Sequence, residues 1–245
     1  MNRKRRIECL IPVVMLSVSL FVQAAEPPLQ PGNYVTERGW GTLKINPDKS
    51  GALKFAIAAM GGNAHSCSLE GAIRNGRAVL EGFEKDKPCV VTFSGAIDGI
   101  EVGSVDEGVC RYYCGARAMF EGRYLKPAAG CAPDEIKRTR DEFKRLYDRK
   151  NYAAARAKIE PAFNGCAKTL DWLEIGWMRN DLALVQLRSG DAAACLRTLE
   201  PLAEDAAISD KQIEDNLPPT DATNWLPVVK AARTNLKLCG GAAKK

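Results

Sequence analysis

A single histidine, His65, limits the acid–base and nucleophilic chemistry open to this 245-residue chain. A Ser-His-Asp or Cys-His arrangement would have to recruit it. Ser66 and Cys67 adjoin it, but neighbours along a strand point to opposite faces, so His65 reads as a turn or surface residue. Metal sites built on several histidines are excluded. Paired carboxylates are the other route to hydrolysis. Glu101 with Asp106, and Glu81 with Glu84 around a turn, are the pairs available in the N-terminal half, and spacing alone sets no distance between them. Asn46-Pro47-Asp48-Lys49-Ser50-Gly51 resembles a calcium loop, but its twelfth position is Ile57 where glutamate is needed. A hairpin turn accounts better for that string. Neither a P-loop nor a dinucleotide fingerprint is present. The expectation is therefore a protein that is not an enzyme, with no catalytic residue, cofactor or metal.

The most distinctive local string is Cys110-Arg111-Tyr112-Tyr113-Cys114-Gly115. Redox motifs place two residues between their cysteines, at a helix N-terminus. Here there are three, so a structural disulfide is expected. A four-cysteine zinc site from Cys67, Cys89, Cys110 and Cys114 is the competing reading, and it lacks the usual paired spacing. Arg111, Tyr113, Arg117 and Arg123 form the candidate binding set, a cationic and aromatic surface for an anionic glycan or a partner. Solvated arginines on an exposed strand face are the plainer interpretation.

The N-terminus reads as an export signal. Arg3 to Arg6 are basic, Cys9 to Val22 are largely apolar, and Val22-Gln23-Ala24 fits signal-peptidase cleavage after Ala24. The apolar run is too short to span a bilayer, which takes about 20 residues. Cleavage would lower the net charge from +5 to +2. So small an excess favours neither nucleic acid nor an anionic membrane surface. Of nine cysteines, eight remain after cleavage, an even number suited to disulfides in the periplasm or outside the cell. Absence of any Asn-x-Ser/Thr site favours a bacterial periplasmic protein.

Two halves must position these residues. Residues 27–125 are punctuated like antiparallel sheet, with seven or eight short strands expected in a barrel or sandwich. Asn75-Gly76 marks a hairpin, and Leu53, Phe55, Ile57 and Ala59 alternate with Lys54, Ala56 and Ala58. A last strand is expected from Ala116 to Tyr124, pairing with the first strand and removing the exposed edges. Residues 126–132 read as a linker, 133–239 as a helical domain and 240–245 as a flexible tail. Helices are expected to start at Pro133, Asn151, Asp171, Asp191 and Asn224, with Pro227 tolerated in the first turn of the last, Gly190 ending the third, and a loop containing Pro218-Pro219 between the fourth, which carries Ala206, and the last. The fold class is thus α+β in two domains: an antiparallel β-barrel or sandwich, then a helical-hairpin, tetratricopeptide-like domain.

The helical half repeats at 40 residues. Asp141 falls on Asp181, Asn151 on Asp191, Ala153-Ala154 on Ala193-Ala194, and Ile159-Glu160-Pro161 on Leu199-Glu200-Pro201. Over residues 134–206 the pattern resembles tetratricopeptide-type repeats, with Ala155 and Cys195 at small-residue contacts and with Pro161 and Pro201 earlier than that family places them. That resemblance implies a binding scaffold. The plainer alternative is a helical bundle that buttresses the sheet. Alternating helix directions put Cys131 and Cys166 at one level and Cys195 and Cys239 at the other, so these pairs are expected to bond. In the sheet half the expected pairs are Cys67–Cys89 across the Asn75-Gly76 hairpin, and Cys110–Cys114 around a tight turn; if the chain instead runs straight from Cys110 to Cys114, the two lie about 13 Å apart and each pairs with Cys67 or Cys89.

The functional expectation is an exported interaction protein whose partner is another envelope or secreted protein, with no nucleic acid and no transmembrane anchor. Two alternatives stand beside it. The N-terminal half resembles small periplasmic lysozyme-inhibitor barrels in size, export and cysteine content, and Gly115-Ala116-Arg117 resembles part of their inhibitory loop without its preceding serine and following tyrosine. A carrier of a small apolar ligand would need an unfilled barrel interior.

Overall fold

The computed structural model describes residues 27–242; the expected signal segment, residues 1–24, lies outside them. Eight strands form one antiparallel sheet: β1 (Gly32–Thr36), β2 (Gly41–Pro47), β3 (Leu53–Met60), β4 (Ser66–Ala72), β5 (Arg77–Leu80), β6 (Cys89–Ala96), β7 (Gly99–Ser104) and β8 (Gly122–Leu125). Their order is β4-β3-β2-β1-β8-β7-β6-β5. The sheet curls into a nearly closed barrel whose seam lies between β4 and β5. First and last strands pair as expected, Val35 opposite Leu125 and Thr36 opposite Tyr124. That pairing does not remove the edges. They are moved to β4 and β5, which share only the bridge Arg74–Arg77 around the turn. Asn75 (φ 51°) and Gly76 (φ 71°) make that turn in the left-handed region, as the dipeptide predicts.

Period-two alternation builds the barrel core. On β3 the side chains of Phe55, Ile57 and Ala59 are buried while Lys54, Ala56 and Ala58 are exposed. With Tyr34, Leu43, Ile45, Leu69, Val91, Phe93, Ile100 and Tyr124 they fill the interior. Phe55 and Phe93 lie with ring centroids 4.8 Å apart. Each large apolar side chain so buried contributes about 1.5–3 kcal/mol.

The strand expected over Ala116–Tyr124 pairs only from Gly122 onward. The chain leaves β7 through a helical turn, α1 (Glu107–Cys110), and a 3-10 turn, Arg111–Tyr113, then crosses the end of the barrel. Ala118 and Phe120 close that end from inside, which keeps the inward parity without a neighbouring strand.

The same excursion corrects the disulfides of this half. Cys67 bonds Cys114, and Cys89 bonds Cys110. Cys67 and Cys89 cannot face each other because β5 lies between their strands. Cys110 turns inward at the end of α1, while Cys114 emerges extended beside Cys67, and Gly115 N–H donates to the Ser66 carbonyl. In the helical half Cys131–Cys166 and Cys195–Cys239 form as expected. Four disulfides mark a protein of an oxidising, extracellular-type compartment. Among the described residues no helix is long and apolar enough to cross a membrane.

Seven helices follow the barrel: α2 (Pro133–Asp148), α3 (Tyr152–Cys166), α4 (Trp172–Arg188), α5 (Ala192–Leu199), α6 (Ala203–Ala207), α7 (Asp210–Asn216) and α8 (Pro219–Ala242). Asn151, Asp171 and Asp191 cap α3, α4 and α5, each accepting from the backbone N–H three residues on. The 40-residue shift is structural. It lays α2 on α4, Lys150 (φ 60°) on Gly190 (φ 86°), and buried Ala155 and Ile159 on buried Cys195 and Leu199. Three expectations fail. Asn224 caps nothing, because α8 starts at Pro219 and Pro227 lies within it. Residues 210–216, expected as loop, form α7 behind the Ser209 cap and its partner Gln212. α8 also runs through Gly240 and Gly241 to Ala242, past the expected helix end at Cys239; that cysteine's bond to Cys195 pins the final turns.

The early start of α8 has a cause outside the helix. The Asn63 side-chain carbonyl accepts from Thr220 N–H at 2.9 Å, and the Asp221 carboxylate accepts from Asn63 N–H at 2.9–3.0 Å. This is the logic of a capping box, with one member supplied by the barrel. Among the described residues it is one of two places where hydrogen bonds join the halves. At the other, Arg38 N–H donates to the Lys168 carbonyl at 2.8 Å. Gly39 (φ 65°) there approaches the backbone of Thr169–Asp171 so closely that a Cβ would lie 2.5 Å from Asp171 N.

Candidate functional site

Beside the Gly39 lock a groove lies between the barrel and the helices. Val35, Gly39 and Thr42 form its barrel wall, α2 from Pro133 to Asp148 its length, and Asp171, Glu174, Asp181 and Leu184 its far wall on α4. Its volume is about 660 Å³, within the range of ligand sites. The groove runs the whole of α2, about 22 Å at 1.5 Å rise per residue.

Polar groups are ordered along it. Lys137 pairs with Asp141 at 2.6 Å and Lys144 with Asp148 at 2.9 Å, both one turn apart on α2. Between them Arg140 reaches across to α4. Its Nη1 lies 3.0 Å from Glu174 Oε1, and its Nε and Nη2 lie 3.3 and 3.1 Å from Asp181 Oδ2. All three side chains are only 25–29% exposed. Burial pushes the Asp181 carboxyl above its ordinary range, and Arg140 offsets part of that rise. Burial opposes the charge on Arg140 as well, but its two carboxylates outweigh it and hold the guanidinium charged. Tyr147 completes the groove beside buried Phe143, its hydroxyl accepting from Arg188 Nε at 3.4 Å.

The residues singled out from sequence are distributed differently. Arg111 lies on the 3-10 turn and donates to the Ala116 carbonyl. Tyr113, on the same turn, packs inward on the barrel core, and burial raises its hydroxyl's pKa. Arg117 is exposed on the loop that crosses the barrel end, with its carbonyl against Gly61. Arg123 sits on β8, ion-paired to Asp98 and Glu101. Arg111 and Arg117 thus share the loop system of the barrel end, whereas Arg123 is taken up by its own carboxylates. His65 is half-buried against Gly115, at the mouth of the Cys67–Cys114 bond. Asp48 accepts from Ser50 and Ala52 N–H in the β2–β3 hairpin turn, so the calcium-like string serves as that turn.

Sequence reading missed Arg140, Glu174 and Asp181 as a site. A signal was present: Lys137, Arg140 and Lys144 recur at three- and four-residue steps, a polar stripe on a helix with Ile136 and Phe143 in its core. What sequence could not supply was the barrel wall opposite. In comparisons with known proteins, no family model, no curated protein and no solved structure matches the chain.

Proposed function

We propose that this protein is a non-enzymatic binding module of the bacterial envelope or its exterior, and that the groove between the barrel and α2/α4 receives a segment of a partner protein. The observation that carries this reading is the groove itself: a 660 Å³ cleft with walls from both halves. The filled barrel interior favours it over an internal carrier of apolar ligands. The repeated hairpins, tetratricopeptide-like in sequence, suit a rigid scaffold. Export through a signal cleaved after Ala24 belongs to the same proposal. The test compares the oxidised protein with Leu184→Trp, which fills the groove, in capture from envelope extract. A partner retained by the native chain and lost by the variant supports the reading. Identical retention, or none by either, overturns it.

A second reading rests on the barrel end. Gly115-Ala116-Arg117 is presented on a loop fixed by Cys67–Cys114 on one side and by buried Ala118 on the other. Exposed Ala116 and Arg117 on so rigid a mount suit the plugging of an enzyme cleft, as a lysozyme inhibitor would. Inhibition of a lysozyme-type hydrolase that disappears in Arg117→Ala would support it, and no inhibition at micromolar protein would remove it.

A further inference from the structure

The groove carries an uneven charge that points to its occupant. Five carboxylates line it (Asp141, Asp148, Asp171, Glu174 and Asp181) against three cations (Lys137, Arg140 and Lys144). Two of the acids are neutralised by lysines on their own helix. Asp171 caps α4, so part of its charge is spent on that helix's N-terminus. The excess is left at Arg140, one cation between two carboxylates. Arg140 engages Glu174 through Oε1 and Asp181 through Oδ2. The second oxygen of each carboxylate, Glu174 Oε2 and Asp181 Oδ1, has no hydrogen-bond donor among the described residues. Two charged acceptors thus flank Arg140 inside a partly desolvated cleft, with Lys144 also acting on Asp181 from one turn along α2; an ion pair there is screened less than at the surface.

The length of the cleft restricts what could bring that donor. At about 3.3 Å per residue, 22 Å accommodates an extended segment of six or seven residues. A small amine would fill only a fraction of it. We propose that the groove selects an extended peptide segment bearing a lysine or arginine, whose cationic head lies between Glu174 Oε2 and Asp181 Oδ1 beside Arg140. This rests on the groove-binding reading above and adds the sign and form of the ligand.

The test uses the full oxidised chain and three fluorescein-labelled hexapeptides of alternating alanine with lysine, glutamate or norleucine, followed by anisotropy, with spermidine as competitor. The lysine peptide is expected to bind most tightly, and to weaken steeply between low and physiological salt. The double variant Glu174→Gln/Asp181→Asn should weaken it about tenfold, the effect of one lost charge pair in such a site. Glu174→Gln alone should give part of that loss, and serves if the double variant melts early. Arg140→Gln removes the resident cation and should tighten lysine-peptide binding several-fold, which a merely structural role for Arg140 would not do. Preference for the glutamate or norleucine peptide overturns the inference while leaving the groove as the binding site. Displacement by spermidine as effective as by the peptide itself overturns the peptide form. Failure of all three peptides together with equal capture by native and Leu184→Trp protein removes the groove reading as well.

Discussion

Each half of the molecule carries two disulfides, but the bonds hold different things. The barrel strands are already laddered, seven residue pairs between β2 and β3 and seven between β3 and β4. Its disulfides fasten an excursion, residues 105–121, onto the rim of a sheet that backbone hydrogen bonds define. The helical half has no ladder between its elements. Its helices meet through side chains: Arg140 across to α4, Asn180 Nδ2 to the Val228 carbonyl at 3.2 Å, and Asn235 Nδ2 to Asn180 Oδ1 at 2.8 Å. There the disulfides join whole elements, Cys131–Cys166 closing the α2–α3 hairpin and Cys195–Cys239 tying α5 to α8. A bond that ties elements should affect the stability of its half; a bond that ties an excursion should affect mainly the excursion.

Cysteine removal tests this contrast most severely. Cys195–Cys239 spans 44 residues and Cys89–Cys110 spans 21, worth about 4 and 3 kcal/mol on the chain-entropy account. Cys195→Ala should lower the unfolding free energy of the helical half by about 4 kcal/mol. It should leave Cys239 as a free thiol and Cys131–Cys166 intact. Cys89→Ala should loosen residues 105–121 in hydrogen exchange while β2 and β3 stay protected. If the barrel ladders exchange as readily as the excursion in Cys89→Ala, the contrast is false. Thiol labelling at Cys166 in Cys195→Ala would mean that the helical disulfides rearrange.

The same contrast explains what could be read from sequence. Helical cysteines were legible because helix direction and a rise of 1.5 Å per residue assign each one a level. Capping residues at Asn151, Asp171 and Asp191 located the helix starts that set those levels. In the barrel, alternation identified Phe55, Ile57 and Ala59 as inward, but alternation is silent on which strand lies next to which. Cys67 and Cys89 flank a true hairpin signal, yet β5 intervenes, so the turn was right and the pairing wrong. The start of α8 was hidden for a related reason: its capping partner, Asn63, lies 157 residues before Thr220. The groove was illegible in the same way, since Gly39 and Thr42 of its barrel wall are remote in sequence from Asp181.

A smaller effect is expected at the lock between the halves. Asn63 sits at φ 58° and both donates to Asp221 and accepts from Thr220. Asn63→Gly keeps the left-handed backbone easy and the N–H in place, and removes only the side-chain cap. A cost of about 1 kcal/mol is expected, seen as earlier hydrogen exchange at the first turn of α8 with the barrel unchanged. Unaltered exchange at Thr220 would show that packing alone starts the helix. Asn63→Ala should cost more than Asn63→Gly, because it keeps a Cβ at positive φ without the amide that makes asparagine tolerant of that region.

The smallest effect separates the halves by sign. On the barrel, the Arg123 guanidinium beside exposed Asp98 lowers that carboxyl below its ordinary value. Its contribution is present above that ordinary value and is lost as pH falls through the lowered one. In the groove, burial raises Asp181, against the pull of Arg140. A raised carboxyl holds its proton more tightly folded than unfolded. Its contribution is therefore complete in acid, and is lost as pH rises from the ordinary aspartate value, about 3.9, through the raised one. Comparing urea unfolding of the native chain and Asp181→Asn across that window, the native chain should lose ground to the variant as pH rises. Below the ordinary value, where the lowered Asp98 titrates, Asp98→Asn should show the opposite trend, the native chain gaining on the variant as pH rises, and salt should erase it, since both partners of that pair are about half exposed. A native chain that instead gains on Asp181→Asn with rising pH would mean that Arg140's attraction exceeds the burial of Asp181. The groove would then hold a satisfied ion pair, and its spare acceptor oxygens would lose their claim on a second cation.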